Sequence, residues 1–150
     1  MLIPLELMKI AINEAKKAYN ANEVPVGSVI SDLNGKVVAK AHNQVISLND
    51  PTAHAEILAI RSACSILNTT NLSNYQIFST LEPCCMCSGA ILTAKIKRIY
   101  FGLYDEKFGG IISSNKIINT NNAYPDIEIY PEMLTQPSKK LLTEFFQKLR

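Results

Sequence analysis

No stretch of the 150-residue chain stays apolar long enough to cross a membrane, because every hydrophobic run is interrupted within a few residues. The opening residues, Met1-Leu2-Ile3-Pro4-Leu5-Glu6, have neither a basic cluster nor a small-residue cleavage site, so no secretory signal is expected. Low-complexity tracts, internal repeats and linker-like segments are also missing. With 47% hydrophobic and 19% charged residues the composition excludes a disordered polymer and suits a globular protein with a real core. One cytoplasmic domain spanning residues 1–150 is the expectation. A net charge of +2 permits nucleic-acid binding without requiring it. The basic residues Lys95, Lys97 and Arg98, and then Lys139, Lys140, Lys148 and Arg150, suit solvated helix faces as well as a phosphate-contacting surface. Only four cysteines are present, and in a reducing compartment they point to metal or redox chemistry before disulfides.

Periodicity predicts alternating helices and strands. Leu5, Met8, Ile12, Ala15 and Tyr19 recur at helical spacing. Val24 to Ile30 and Lys36 to Ala41 suit two strands joined by a turn at Asn34-Gly35 that needs positive φ. Asp50-Pro51 has the form of a helix start, with Asp50 as N-cap, leading through His54 and Glu56 to Leu67. Tyr75 to Thr80, Arg98 to Leu103 and Asp126 to Tyr130 suit further strands. A helix starts near Pro83, and a last one over Ser138 to Arg150 turns Leu141, Leu142, Phe145 and Phe146 inward. The alternation implies an α/β domain with helices on both faces of one sheet.

Two short stretches carry chemistry: Thr52-Ala53-His54-Ala55-Glu56 and Leu81-Glu82-Pro83-Cys84-Cys85-Met86-Cys87. They supply an imidazole, two thiols at i, i+3 on one side of a helix, and a carboxylate beside the imidazole. His54, Cys84 and Cys87 are three ligands for a zinc ion whose fourth position stays open, which is the catalytic pattern. First-turn placement favours thiolate over thiol. Glu56 is not needed as a ligand and is placed to take a proton from an activated water and pass it to a leaving group. A lone C-x-x-C also serves redox pairs and structural zinc sites, but the second C-x-x-C of a zinc ribbon is missing. Cys64 suits a small buried residue on an apolar helix face. His-Ala-Glu followed by Pro-Cys-x-x-Cys is a signature of zinc-dependent base deaminases.

At these residues the chain resembles the cytidine-deaminase superfamily, and within it the bacterial tRNA-specific adenosine deaminases of the TadA type. The likeness extends to Glu23-Val24-Pro25-Val26-Gly27, to Asn49-Asp50-Pro51 before the histidine motif, to Gly89-Ala90, and to Tyr100-Phe101-Gly102 with Asp105 and Lys107. It implies a three-layer α/β/α cytidine-deaminase-like fold around a mixed sheet of about five strands. It also implies one zinc ion per subunit, no organic cofactor and no membrane, a homodimer, and a tRNA anticodon stem-loop as partner. The implied reaction is hydrolytic deamination of the wobble adenosine to inosine with release of ammonia. Attack falls on C6 of a flipped-out base, and Glu56 protonates N1 and later the amine. Asn43 matches the family's base-contacting asparagine, Ala55 contributes backbone to the same pocket, and Asp105 matches a position near the RNA backbone and its 2′-hydroxyl. Asn43 is also read as a loop residue satisfying its own backbone, and Asp105 as a turn former. Leu81, Glu82 and Pro83 are expected to shape the loop above the metal.

Departures from the family's pattern lie at Gly110-Ile111-Ile112-Ser113, at Tyr124-Pro125 and over Glu132 to Pro137. Phe145 and Phe146 match aromatic residues of the family's last helix, which pack on the core and border the substrate loop, with core packing as their expected role. Two other functions use similar residues. One is a deaminase of free bases or nucleosides, such as guanine or cytosine, with the same metal centre. The other is a binding module with a structural zinc, against which Glu56 argues.

Overall fold

The computed structural model describes residues 1–117 and 126–150; Tyr124-Pro125 lies outside them. Among the described residues five strands form one mixed sheet in the order β2-β1-β3-β4-β5: β1 is Gly27–Asp32, β2 Val37–His42, β3 Tyr75–Leu81, β4 Arg98–Leu103 and β5 Glu128–Tyr130. β1 runs antiparallel to both β2 and β3, whereas β3, β4 and β5 are parallel. The described residues also form four helices, which cover the sheet: α1 Pro4–Asn20, α2 Ala55–Leu67, α3 Cys85–Thr93 and α4 Thr135–Lys148. None of the helices among the described residues is long and apolar enough to cross a membrane.

Strand alternation divides the core into two layers. Val29, Phe78 and Tyr100 face α1, where Leu7, Met8, Ala11 and Ile12 cover them, and Leu141 of α4 packs on the same side. Their neighbours Ile30, Ile77, Ile99 and Phe101 face the opposite way, onto Ala59 and Ala63 of α2 and Ile91 and Leu92 of α3. The expected three-layer α/β/α arrangement is thus observed. Phe78, Tyr100 and Tyr130 stack across adjacent strands, with ring centroids 4.4 and 4.6 Å apart. Cys64 is only half-buried, packed against the second layer.

The hairpin between β1 and β2 turns through four residues, Leu33-Asn34-Gly35-Lys36, of which only Gly35 takes positive φ, at 90°. Asp32 organises it by accepting Asn34 and Lys36 N–H groups on Oδ1, each at 2.9 Å. Glycine is scarce elsewhere, and three helices end on left-handed residues of other types. After α1, Asn22 (φ 59°) donates to the Tyr19 carbonyl and Glu23 to that of Ala18. After α2, Asn68 (φ 51°) and Thr69 donate in the same pattern to Ser65 and Cys64. After α3, Lys95 (φ 67°) and Ile96 donate to Leu92 and Ile91. Each is a Schellman closure, in which asparagine tolerates the left-handed conformation better than lysine does.

Gly27 lets α1 lie directly on β1. A Cβ there would sit 1.9 Å from the Ala11 carbonyl oxygen and 2.6 Å from the Ala15 nitrogen. Gly27→Ala is therefore expected to lower stability by about 3 kcal/mol. Lys95→Gly relieves the left-handed backbone and is expected to raise it by about 0.5–1 kcal/mol. Urea unfolding midpoints at unchanged m-value measure both. A loss below about 1 kcal/mol for Gly27→Ala would show that α1 shifts freely off the strand.

Candidate active site

The site lies beyond the carboxyl end of β3, where the chain twice leaves an extended segment and enters a helix. His54 (φ −70°, ψ 153°) immediately precedes α2, and Cys84 (φ −69°, ψ 178°) immediately precedes α3. The expectation that α2 starts at Asp50-Pro51 is corrected. Asp50 Oδ1 accepts the Thr52 N–H (2.8 Å) and hydroxyl (2.7 Å), and Ala53 N–H returns to the Asp50 carbonyl at 3.1 Å. Residues 50–53 are a closed turn, and His54 is held in extended backbone by that turn on one side and the helix on the other. A side chain that caps a helix caps such a turn with the same chemistry.

His54 Nδ1 lies 3.6 Å from Cys84 Sγ and 3.5 Å from Cys87 Sγ, and the three ligand atoms all fall within 4.8 Å of one another. A tetrahedral zinc about 2.3 Å from each sulfur and about 2.05 Å from the nitrogen holds nitrogen and sulfur roughly 3.6 Å apart. The trio fits zinc without rearrangement. Cys84 is held down to about 4, first by the hydrogen bond from the Cys87 thiol and then by His54, against the opposing effect of burial. Cys87 is pushed up, by the same bond and by burial. His54 is raised, chiefly by its hydrogen bond to Cys84. The trio thus shares protons that a divalent ion displaces.

Glu56, in the first turn of α2, is 4% exposed, and burial pushes its carboxyl above the ordinary range. Its Oε2 lies 3.4 Å from Cys87 Sγ. Its Oε1 lies 2.8 Å from Ser79 Oγ, which is itself 2.7 Å from the Leu81 carbonyl. A hydroxyl has one hydrogen. When Ser79 donates to Glu56 it serves the carboxylate, and when it donates to Leu81 it accepts from the carboxylic acid. Ser79 therefore suits both protonation states of Glu56. Sequence reasoning missed it, since a serine inside an apolar strand carries no signal of its own.

The expected site residues converge on one cavity of about 800 Å³, lined by Asn43, His54, Ala55, Glu56, Cys84 and Asp105 among others. Cys87 is fully buried behind Cys84. Asn43 donates its side-chain amide to the Val24 carbonyl (3.2 Å) and accepts Val45 N–H at 3.4 Å. Just before it, His42 Nδ1 meets Glu14 of α1 at 3.1 Å, tying the end of β2 to the helix. Asp105 Oδ1 accepts the N–H groups of Lys107 and Phe108 at 3.2 and 3.1 Å, closing its own turn. The expectation that Phe146 points inward with Phe145 is corrected: Phe145 is buried, but Phe146 is 48% exposed and lines the cavity. α4 passes the cavity on one side, so its apolar stripe splits between core and opening.

Two buried carboxylates hold the cavity's loops. Glu23, 1% exposed, accepts the N–H groups of Ile46 and Ser47 (2.9 and 2.8 Å) and the Ser47 hydroxyl. Glu82, equally buried, accepts from the backbone of Asp105, Ile111, Ile112 and Ser113 and from the Ser113 hydroxyl. Burial opposes both charges, but these donors outweigh it and hold both carboxyls below their ordinary range. Sequence reasoning expected Glu82 to shape this loop but gave Glu23 no such role.

The family model for the cytidine and deoxycytidylate deaminase zinc-binding region matches residues 3–103. A tRNA-specific adenosine deaminase of Aquifex aeolicus is 45% identical over 145 residues, which span 95% of this chain and 93% of the relative. A solved structure from work on A-to-I editing by tRNA:A34 deaminases aligns with a TM-score of 0.87 at 37% identity, covering 91% of this chain and 99% of that one. The guanine deaminase of Bacillus subtilis aligns over less: its TM-score is 0.65 at 36% identity, covering 69% of this chain and 66% of that one.

A carboxyl whose folded pKa is depressed stabilises the fold fully above its unfolded value, about 4.3, and loses that contribution as pH falls through the folded value. Glu23→Gln is therefore expected to cost about 1–3 kcal/mol at pH 7, with the gap to the parent protein closing below about pH 4. Urea unfolding at a series of pH values measures it. A gap that persists undiminished at pH 3 would rule out the ionised carboxylate as its source.

Proposed function

The chain belongs to the cytidine and deoxycytidylate deaminase zinc-binding family, and on that footing we propose that it deaminates the wobble adenosine of a tRNA anticodon to inosine, releasing ammonia. The observation that carries this reading is the buried Glu56 carboxyl set against the His54-Cys84-Cys87 trio in an open cavity. Likeness to tRNA-specific adenosine deaminases over nearly the whole chain supports RNA as the substrate.

In this reading His54 and the thiolates of Cys84 and Cys87 hold one zinc ion per subunit. When bound, zinc supplies a Lewis acid that lets water act as a nucleophile near neutral pH. Glu56 takes the proton of the attacking water and delivers it to N1 of the adenine as C6 is attacked. It then takes the remaining proton from the new C6 hydroxyl and passes it to the exocyclic nitrogen. The C6–N6 bond breaks, the C6 carbonyl forms, and ammonia leaves. The raised proton affinity of Glu56 suits a group that must collect a proton before returning it. Ser79 holds Oε1, leaving Oε2 on the side of Cys87 and the ligand trio. Asn43 hydrogen-bonds the base, the backbone at Ala55 borders it, and Asp105 shapes the turn that meets the RNA strand. The homodimer and the cytoplasmic setting belong to the same reading, on the strength of the family resemblance.

Inosine formation in an anticodon stem-loop with a wobble adenosine, run beside free adenine, guanine and cytosine, tests the substrate. Inosine in the stem-loop alone is expected, and turnover of a free base alone would transfer the centre to nucleobase deamination. Glu56→Ala is expected to retain zinc and lose at least about 10²–10⁴-fold in kcat. Turnover surviving in that variant would overturn the mechanism. Cys87→Ala is expected to lose stoichiometric zinc together with thermal stability, and full metal content by elemental analysis would contradict the ligand set.

A further inference from the structure

Phe108 has no place in the mechanism above, yet its position is tightly specified. The ring is 59% exposed and lines the cavity. Among the described residues no aromatic ring packs on it; its one ring contact is the Lys107 ammonium, 5.1 Å from the centroid. Phe146, the other exposed aromatic of the lining, is by contrast packed edge-on against Phe145, with centroids 5.3 Å apart.

The backbone beneath Phe108 is held at four points. Phe108 N–H donates to Asp105 Oδ1 (3.1 Å), Gly109 N–H to the Asp105 carbonyl (2.8 Å), and Asp105 N–H to Glu82 Oε1 (3.2 Å). Gly109 also forms an antiparallel bridge with Cys84. A Cβ at Gly109 would meet the Glu82 carboxyl carbon at 2.4 Å and the Asp105 carbonyl oxygen at 2.5 Å, so the chain there lies directly against its buried anchor. The aromatic ring thus stands one residue from a backbone contact with a candidate zinc ligand. A rigidly mounted, uncovered ring beside a base-binding cavity matches what single-stranded RNA recognition uses, because every base offers a π-face at no cost in sequence tolerance. Lys107 places a positive charge beside the same ring, suited to the phosphate that accompanies such a base.

We propose that Phe108 is a stacking platform for the nucleobase adjacent to the adenosine being deaminated, and so positions the RNA strand. This rests on the tRNA reading above. The test is kcat/KM on anticodon stem-loops for the parent protein, Phe108→Ala and Phe108→Tyr. Each is run with an intact loop and with an abasic residue 5′ or 3′ of the target adenosine.

Phe108→Ala is expected to lower kcat/KM about 5- to 150-fold, mainly through KM, with zinc content and thermal midpoint unchanged. Phe108→Tyr is expected to keep most of the activity. Removing the base on one flank is expected to cost the parent protein a similar factor and Phe108→Ala little more, because each change deletes the same stack. Equal losses in the parent protein and Phe108→Ala for both abasic positions would overturn the proposal while leaving the RNA reading intact. Failure of the parent protein to deaminate any intact stem-loop would overturn both, and is seen before a variant is made.

Discussion

The fold depends on bringing two helix starts, thirty residues apart in sequence, to one point beyond the end of β3. A helix start offers uncompensated N–H groups and the positive end of the peptide dipoles, so it is the place where a thiolate or an incoming anion is least costly. The residue before a helix is also held in extended backbone, and the next turn repeats its direction after three residues. His54 and Cys84 occupy the extended position, and Cys87 follows Cys84 by one turn. The sheet supplies the rest. β1 carries α1, β3 delivers Glu82 to Cys84, and parallel pairing of β3 with β4 obliges a crossover, which α3 fills.

Around this point the molecule uses carboxylates for two opposite purposes, and their surroundings decide which. Glu23 and Glu82 are buried but meet several backbone N–H groups, so they stay ionised and bind loops together. Glu56 is nearly as buried but meets only one hydroxyl, its own backbone N–H and a sulfur, so burial prevails and its proton is held more tightly. A group poorly supplied with donors is a good proton carrier and a poor staple; one well supplied is the reverse. The chemistry of the cavity and the rigidity of its walls therefore come from one residue type in two environments.

Much of this was legible in the sequence, for identifiable reasons. β4 was expected at Arg98 to Leu103 and is found there, because a short apolar run bounded by polar residues leaves little choice of register. The convergence of His54, Cys84, Cys87 and Glu56 was legible because ligand chemistry restricts residue type and spacing more than packing does. Asp50 was misread because an aspartate before a proline closes a turn and opens a helix with the same hydrogen bonds. Phe146 was misplaced because periodicity reports one apolar face, whereas α4 borders both core and cavity. The anchoring by Glu23 has no local signature at all: its donors lie 23 and 24 residues away. Long-range hydrogen bonds of this kind exist only once the chain has folded.

The shape of the cavity bears on the size of the substrate. Ala55, Glu56 and Asn43 are buried residues of its lining, which also includes His54 and Cys84, while Ile46, Phe108, Phe146 and Leu149 are exposed lining residues. An enzyme for a free base gains by enclosing it, since a small planar ring has few atoms with which to make contacts and must use all of them. Large apolar side chains left in water around such a site are unfavourable unless something larger covers them. A nucleotide loop does so, because its flanking bases reach beyond the pocket and its phosphates remain in solvent. Polar chemistry in the buried part and apolar contact in the open part is thus the division of labour that a base within a polymer requires.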